Sequence, residues 1–197
     1  VTLAFGTPVN FKEVYTEGIT RITPLDIEYA REMGYQIKLL AIAKLNQKEN
    51  NTAIEARVHP TMIPEDYLIA TVRGVYNAIY LVGDAVGETL FYGRGAGAMP
   101  TASAVVSDLI EIGRNILSGS SGSVPVAAFQ KKDRQPIRLR PMDEIRTLYY
   151  LRFMAEDRPG VLSNIAGLLG KHNISISQVL QKGRKQGGNG NFPLGRG

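Results

Sequence analysis

The residues with the clearest chemical potential are three glycines set two apart, Gly93, Gly95 and Gly97, in the stretch "FYGRGAGAMPTASAVVSDL" from Phe91 to Leu109. Glycine lets the backbone take positive φ and lets a ligand approach where a β-carbon would collide. A glycine turn feeding a helix N-terminus also aims free amides at any nearby negative group. The spacing suits a cofactor lying against the chain, and it equally suits a tight strand-to-helix connection with no ligand. It is not a G-x-G-x-x-G loop opening a βαβ unit, so a Rossmann phosphate loop is the wrong label. The second candidate is "EDRPG", where Asp157 precedes Pro159 and Gly160 at an expected helix start. Free amides there suit the carboxylate of a small amino acid, or merely open a helix.

Other chemistries are poorly supplied. The chain of 197 residues has no cysteine, which excludes disulfides, thiolate metal sites and a cysteine nucleophile. With only His59 and His172, no metal site is expected. The net charge of +5 is spread out, and its densest groups, Lys131 to Arg140 and Lys182 to Gln186, lack interleaved aromatics, so no nucleic-acid partner is expected. No apolar run approaches membrane-spanning length and the first residues lack the pattern of a secretory signal. The expectation is a soluble, cytoplasmic protein.

The elements that position these residues are legible in part. In "TPLDIEYAREMG", Thr23 can cap a helix, Pro24 suits its first position, Asp26 and Glu28 favour its positive end, and Gly34 can close it. "YQIKLLAIAKLN" and "TAIEARVHPTMI" read as an antiparallel hairpin. Within its second strand Ile54, Ala56 and Val58 alternate with Glu55, Arg57 and His59, which predicts one wet face with His59 a surface histidine. A helical turn is expected within Pro64 to Ala70, and two further strands turn at "GDAVGE". Thr101 is then placed as the cap of a helix whose Val105, Leu109, Ile112 and Ile116 recur at helical spacing. "SGSSGS" and the basic stretch to Pro141 read as a linker. Beyond it the chain reads strand, helix, strand, with Val161, Ile165, Leu168 and Leu169 on the buried helix face and Ile174 and Ile176 alternating with serines. The last residues hold too little apolar content to continue the fold.

The stretches "EGITRIT", "GYQIKLLAIAK", "VHPTMIP" and above all "NAIYLVGDAVGETLFYGRGAGAMPTASAVVSDL" closely resemble the substrate-binding and dimerisation domain of homoserine dehydrogenases. "AEDRPGVLSNIAGLLGKHNISI" resembles the first half of an ACT domain, the small regulatory module of bacterial members. The resemblance implies an NAD- or NADP-dependent oxidoreductase that interconverts homoserine and aspartate semialdehyde on the route to threonine and methionine. It implies that Gly93, Gly95 and Gly97 close over the nicotinamide side of the cofactor. It also implies that Asp157, Pro159 and Gly160 help bind an effector amino acid, with threonine the expected feedback inhibitor, in a homo-oligomer. "VTLAFG" resembles the piece just after the family's catalytic lysine, so that lysine is expected upstream of Val1, and Lys12, Lys38 and Lys44 match no catalytic motif. Glu17 lies in a family-typical stretch with no role assigned. Thr101 and Ser103 could also donate hydrogen bonds near the glycines.

The expected fold is α+β: a mixed or antiparallel sheet with helices on one face, followed by a partial ferredoxin-like ACT βαβ unit. Residues 1–118 form the catalytic and dimerisation domain, 119–146 a linker, 147–182 the partial ACT domain and 183–197 a disordered tail. Such a fragment is expected to be inactive alone. Two other readings stand beside it, a non-enzymatic amino-acid sensor and an oligomerisation piece.

Overall fold

The computed structural model describes residues 1–47, 52–120, 132, 134–156 and 158–182. The chain divides into two compact units, Val1–Tyr149 and Tyr150–Gly197. The expectation of a disordered tail at 183–197 lies outside the described residues, as do residues 121–123 of the serine-rich stretch.

The first unit is organised by one strand. After the short helix α1 (Thr2–Phe5) and strand β1 (Tyr15–Thr16), helix α2 (Pro24–Glu32) leads into β2 (Tyr35–Asn46) and β3 (Ala53–Pro64). The α2 start is a reciprocal capping box: Thr23 Oγ1 accepts from the Asp26 amide at 3.4 Å, and the Asp26 carboxylate accepts from the Thr23 amide at 2.8 Å. Pro24 fills the first position and Gly34, at φ +81, turns the chain out, as the sequence predicts. Helix α2 buries Ala30 and packs on β2.

β2 and β3 pair antiparallel along their whole length, from Tyr35 opposite Pro64 to Asn46 opposite Ala53. The other edge of β3 is shared by two short parallel strands from far apart in the chain. β1 pairs at Arg57 and Val58, and β6 (Arg138–Leu139) pairs at Ala53 and Ile54. The expectation of one wet face on β3 is therefore corrected. Ala53 to Arg57 are all buried, Glu55 and Arg57 included, because β3 is the central strand, paired along both edges and with Glu55 and Arg57 paired to each other. His59 is half-buried rather than a plain surface residue.

Residues 137–145, read from the sequence as linker, belong to this unit. Ile137 donates its amide to Thr7 Oγ1 at 2.9 Å, Arg140 donates its amide to the Ile54 carbonyl at 2.8 Å, and Ile145 is buried.

A second sheet is the hairpin of β4 (Tyr76–Gly83) and β5 (Gly87–Arg94), reached through a 3-10 turn at Leu68–Thr71. Tyr76 stacks on Tyr92 with centroids 4.8 Å apart. β5 feeds the 20-residue helix α3 (Ala98–Leu117), which carries the expected apolar spacing yet buries none of its side chains.

In the second unit the described residues hold helix α4 (Val161–Lys171), closed by Asn173 at φ +56 with the Ile174 amide donating to the Leu169 carbonyl at 2.9 Å. The strands expected on either side of α4 are not formed among the described residues. In a split βαβ arrangement the two flanking strands border a third rather than each other, and no such third strand lies among the residues described.

Candidate functional site

The glycine loop is built by the end of β5 and the start of α3, and it is exposed throughout residues 93–97. Its three glycines differ in kind. Gly97 sits at φ +127, ψ 148 as the residue before α3, a conformation side chains rarely adopt, and a β-carbon there would lie 3.3 Å from Pro100 Cδ. Gly95 donates its amide to the Val75 carbonyl at 3.4 Å and passes so close to β4 that a β-carbon would fall 1.5 Å from Asn77 Nδ2. Gly93 stands opposite Asn77 in the ladder, has no left-handed conformation, and has open space where a β-carbon would go.

Thr101 is not the cap of α3. The helix begins three residues earlier, Gly97 caps it without a side chain, and the Thr101 amide already donates to the Gly97 carbonyl at 3.1 Å. The positive φ of Gly97 and the fixed φ of Pro100 in the first turn start the helix before a threonine side chain is needed. Thr101 and Ser103 both lie inside α3. Beside the loop, the Arg94 guanidinium stands 5.5 Å over the Tyr76 ring, a cation–π contact that fixes a positive charge at the loop entrance. Arg94 was legible only as the cation inside "GRGAG".

A second arrangement went unnoticed in the sequence. The Glu55 carboxylate accepts from Arg57 Nη1 at 2.6 Å through one oxygen, and through the other from Asn46 Nδ2 and Arg140 Nη1, both at 2.9 Å. Burial acts to raise the Glu55 pKa, but the Arg57, Asn46 and Arg140 donors outweigh it and hold the carboxyl below its ordinary 4.5. Arg57 Nε donates to His59 Nε2 at 3.0 Å, and His59 Nδ1 lies 2.9 Å from the Pro60 carbonyl oxygen. Arg138 grips both oxygens of Glu144, and Arg140 Nη2 donates to the Glu144 carbonyl.

The remaining candidates are scattered. Glu17 donates its amide to the Val58 carbonyl and accepts from the Tyr15 hydroxyl at 2.9 Å, a bond that raises the Tyr15 pKa. Lys38 donates to the Val72 carbonyl. In the second unit Gly160 is left-handed, at φ +88, directly before α4, which has no side-chain cap, and Pro159 precedes it. Asp157 lies outside the described residues. Among the described residues no three His, Asp or Glu side chains are disposed to hold a metal, and no helix is long and apolar enough to cross a membrane.

The first unit thus holds a mixed sheet and an exposed glycine loop that feeds a long helix, and a small second unit follows it in the chain. In comparison with known proteins, the family model for homoserine dehydrogenase matches residues 1–110, and that for the ACT domain matches residues 149–192. The chain belongs to the homoserine dehydrogenase family. It is 52% identical over 181 residues to the homoserine dehydrogenase of Neisseria gonorrhoeae and 45% identical to that of Pseudomonas aeruginosa, covering 92% of this chain and 41% of each relative. Among solved structures, a homoserine dehydrogenase from Thiobacillus denitrificans matches with a TM-score of 0.79 at 50% identity, over 92% of this chain and 41% of that one. The chain thus spans about two fifths of the length of these relatives.

Proposed function

We propose that residues 1–118 supply the substrate-side wall of an enzyme that interconverts L-homoserine and L-aspartate 4-semialdehyde with NADP or NAD, in the cytoplasm. The observation that carries the reading is Gly93. Backbone conformation accounts for Gly97 and a side chain at Gly95 would have to displace that of Asn77, whereas nothing inside the described residues lies within 4 Å of the place a β-carbon at Gly93 would take. A group approaching from outside explains a missing β-carbon at a strand position that would otherwise favour a branched side chain.

When bound, the nicotinamide supplies or accepts the hydride exchanged with the carbon bearing the substrate oxygen, and the proton for that oxygen comes from a general acid. This chain's part is to position and to exclude water. Gly93, Gly95 and Gly97 would leave the backbone bare against the nicotinamide, and the start of α3 would offer free amides to a negative group. In the second unit, Pro159 and Gly160 are the described part of the stretch assigned to a small amino acid, threonine in this proposal, and Asp157, assigned with them from the sequence, lies outside the described residues. The left-handed Gly160 and the uncapped start of α4 support it. The uncovered apolar positions of α3 support assembly into a homo-oligomer.

The test is a chimera in which the matching part of the Thiobacillus denitrificans enzyme is replaced by this chain. It is expected to oxidise homoserine, and its Gly93→Val variant to bind NADPH or NADH about tenfold more weakly, roughly 1.4 kcal/mol, with an unchanged melting temperature. A folded chimera without turnover, or unchanged cofactor affinity in Gly93→Val, refutes the reading.

A further inference from the structure

The Glu55 cluster does more than fill a core. It joins three parts of the first unit: Asn46 from β2, Arg57 from β3 itself, and Arg140 from residues 137–145. That last stretch is a strap. It is held to β3 by two ladder positions and the Arg140 amide, to Thr7 by one hydrogen bond, and to the Glu55 carboxylate by one guanidinium. Arg140 is the strap's fastening. Its Nη1 reaches Glu55 while its Nη2 holds the Glu144 carbonyl, so a single planar side chain ties the strap both to the strand and to its own turn at Met142–Glu144.

The two arginines are not equivalent. Arg57 is sealed in, with its side chain 5% exposed and its Nε committed to His59, whereas the Arg140 side chain is 27% exposed. Removing Arg140 from Glu55 therefore leaves the Glu55–Arg57 pair intact, with the charge balanced one to one. Arg140 itself reaches water. Release of the strap strands no buried charge, which is what a reversible fastening requires and what a structural core pair lacks. A few residues beyond Ile145 the chain passes into the second unit, so the covalent path from that unit enters the sheet at this fastening.

We propose that the Arg140–Glu55 contact is a latch through which the ligand state of the second unit is coupled to the edge of the central strand β3. The proposal rests on the reading of the second unit as an amino-acid site. Strap fastened and strap released are its two states. A ligand acts on the first unit by favouring one of them, and only to the extent that it binds the two states differently.

Hydrogen exchange on the full chain, with and without L-threonine, tests this in wild type and in Arg140→Gln. In wild type, threonine is expected to slow exchange in 158–171 and to change it at least threefold in 137–145. In Arg140→Gln the strap exchanges at least tenfold faster, threonine still slows 158–171, and the strap no longer responds. Should Arg140→Gln also lose protection in β2 and β3, Arg140→Lys serves instead, since it keeps the charge but not the fork and is expected to give the same pattern at smaller amplitude. A strap that ignores threonine while 158–171 responds overturns the coupling. So does a strap response that survives in the variant. No response to threonine in 158–171 instead removes the amino-acid reading itself, and the coupling falls with it.

Discussion

Replacing Glu55 by glutamine is the sharpest test of the cluster that holds β3. The carboxylate sits between two guanidiniums and an amide with its side chain 10% exposed. Glutamine keeps the shape but removes the charge and turns one acceptor into a donor facing another donor. Breaking a buried ion pair from one side costs about 3 to 5 kcal/mol because the partner stays buried and uncompensated. Arg140 escapes to solvent, so Arg57 bears most of that penalty and the low end, about 3 kcal/mol, is expected. The pH dependence has a definite sign. Glu55 is held below its ordinary 4.5, so its contribution is fully present above that value and is lost as pH falls through the lower folded value. The gap between wild type and Glu55→Gln in urea unfolding is therefore flat from pH 7 to about 5 and closes below it. Replacing Glu55 and Arg57 together by methionine costs less than Glu55→Gln alone, because no charge is then left sealed in. A gap under about 0.5 kcal/mol at pH 7, the range of ordinary surface substitutions, or one that is as large at pH 3.5 as at pH 7, refutes this account.

Three further outcomes are open to simple measurement. Gly95→Ala is expected to change the melting temperature little, because the exposed Asn77 side chain can turn away from the new β-carbon; a large drop that Asn77→Ala restores refutes this. Thr23→Ala removes one half of the capping box and is expected to cost about 1 kcal/mol in chemical denaturation. The Tyr80 phenol, hydrogen-bonded to Glu88 and pushed up to about 12, is expected to ionise last among the tyrosines in an ultraviolet titration, and to return toward 10 in Glu88→Gln.

What the sequence revealed depended on how far apart the partners lie. The α2 capping box spans three residues, and both of its members stand in one short stretch of text. The β2–β3 and β4–β5 hairpins are likewise local, their alternation and turns being written beside each other. The wet face assigned to Glu55 and Arg57 failed because their burial is decided by Arg140, 85 residues from Glu55, and by two-residue strands too short to show periodicity. The start of α3 was misplaced because a threonine is a familiar cap, while a positive-φ glycine with a proline three residues on is a backbone device with no side chain to notice. The glycine loop itself was legible as a bare strand-to-helix connection. That the three glycines stand in three different local settings was not.

The hydrogen bond from Ile137 to Thr7 closes a loop of 130 residues, and the open edge of β3 is filled from both ends of that loop. Pairings of such separation form late, since the entropy of closing the chain is lost before the contact returns anything. At a synthesis rate of about 5–20 residues per second, roughly 6 to 26 seconds separate the emergence of Thr7 from that of Ile137. During that interval β2 and β3 can already meet, while the strand that pairs with Ala53 and Ile54 has yet to be made. The nascent chain therefore passes through a stage in which that edge lacks its strap. Occupation of that edge by the strap is the last event that makes the sheet safe from pairing with a neighbouring chain.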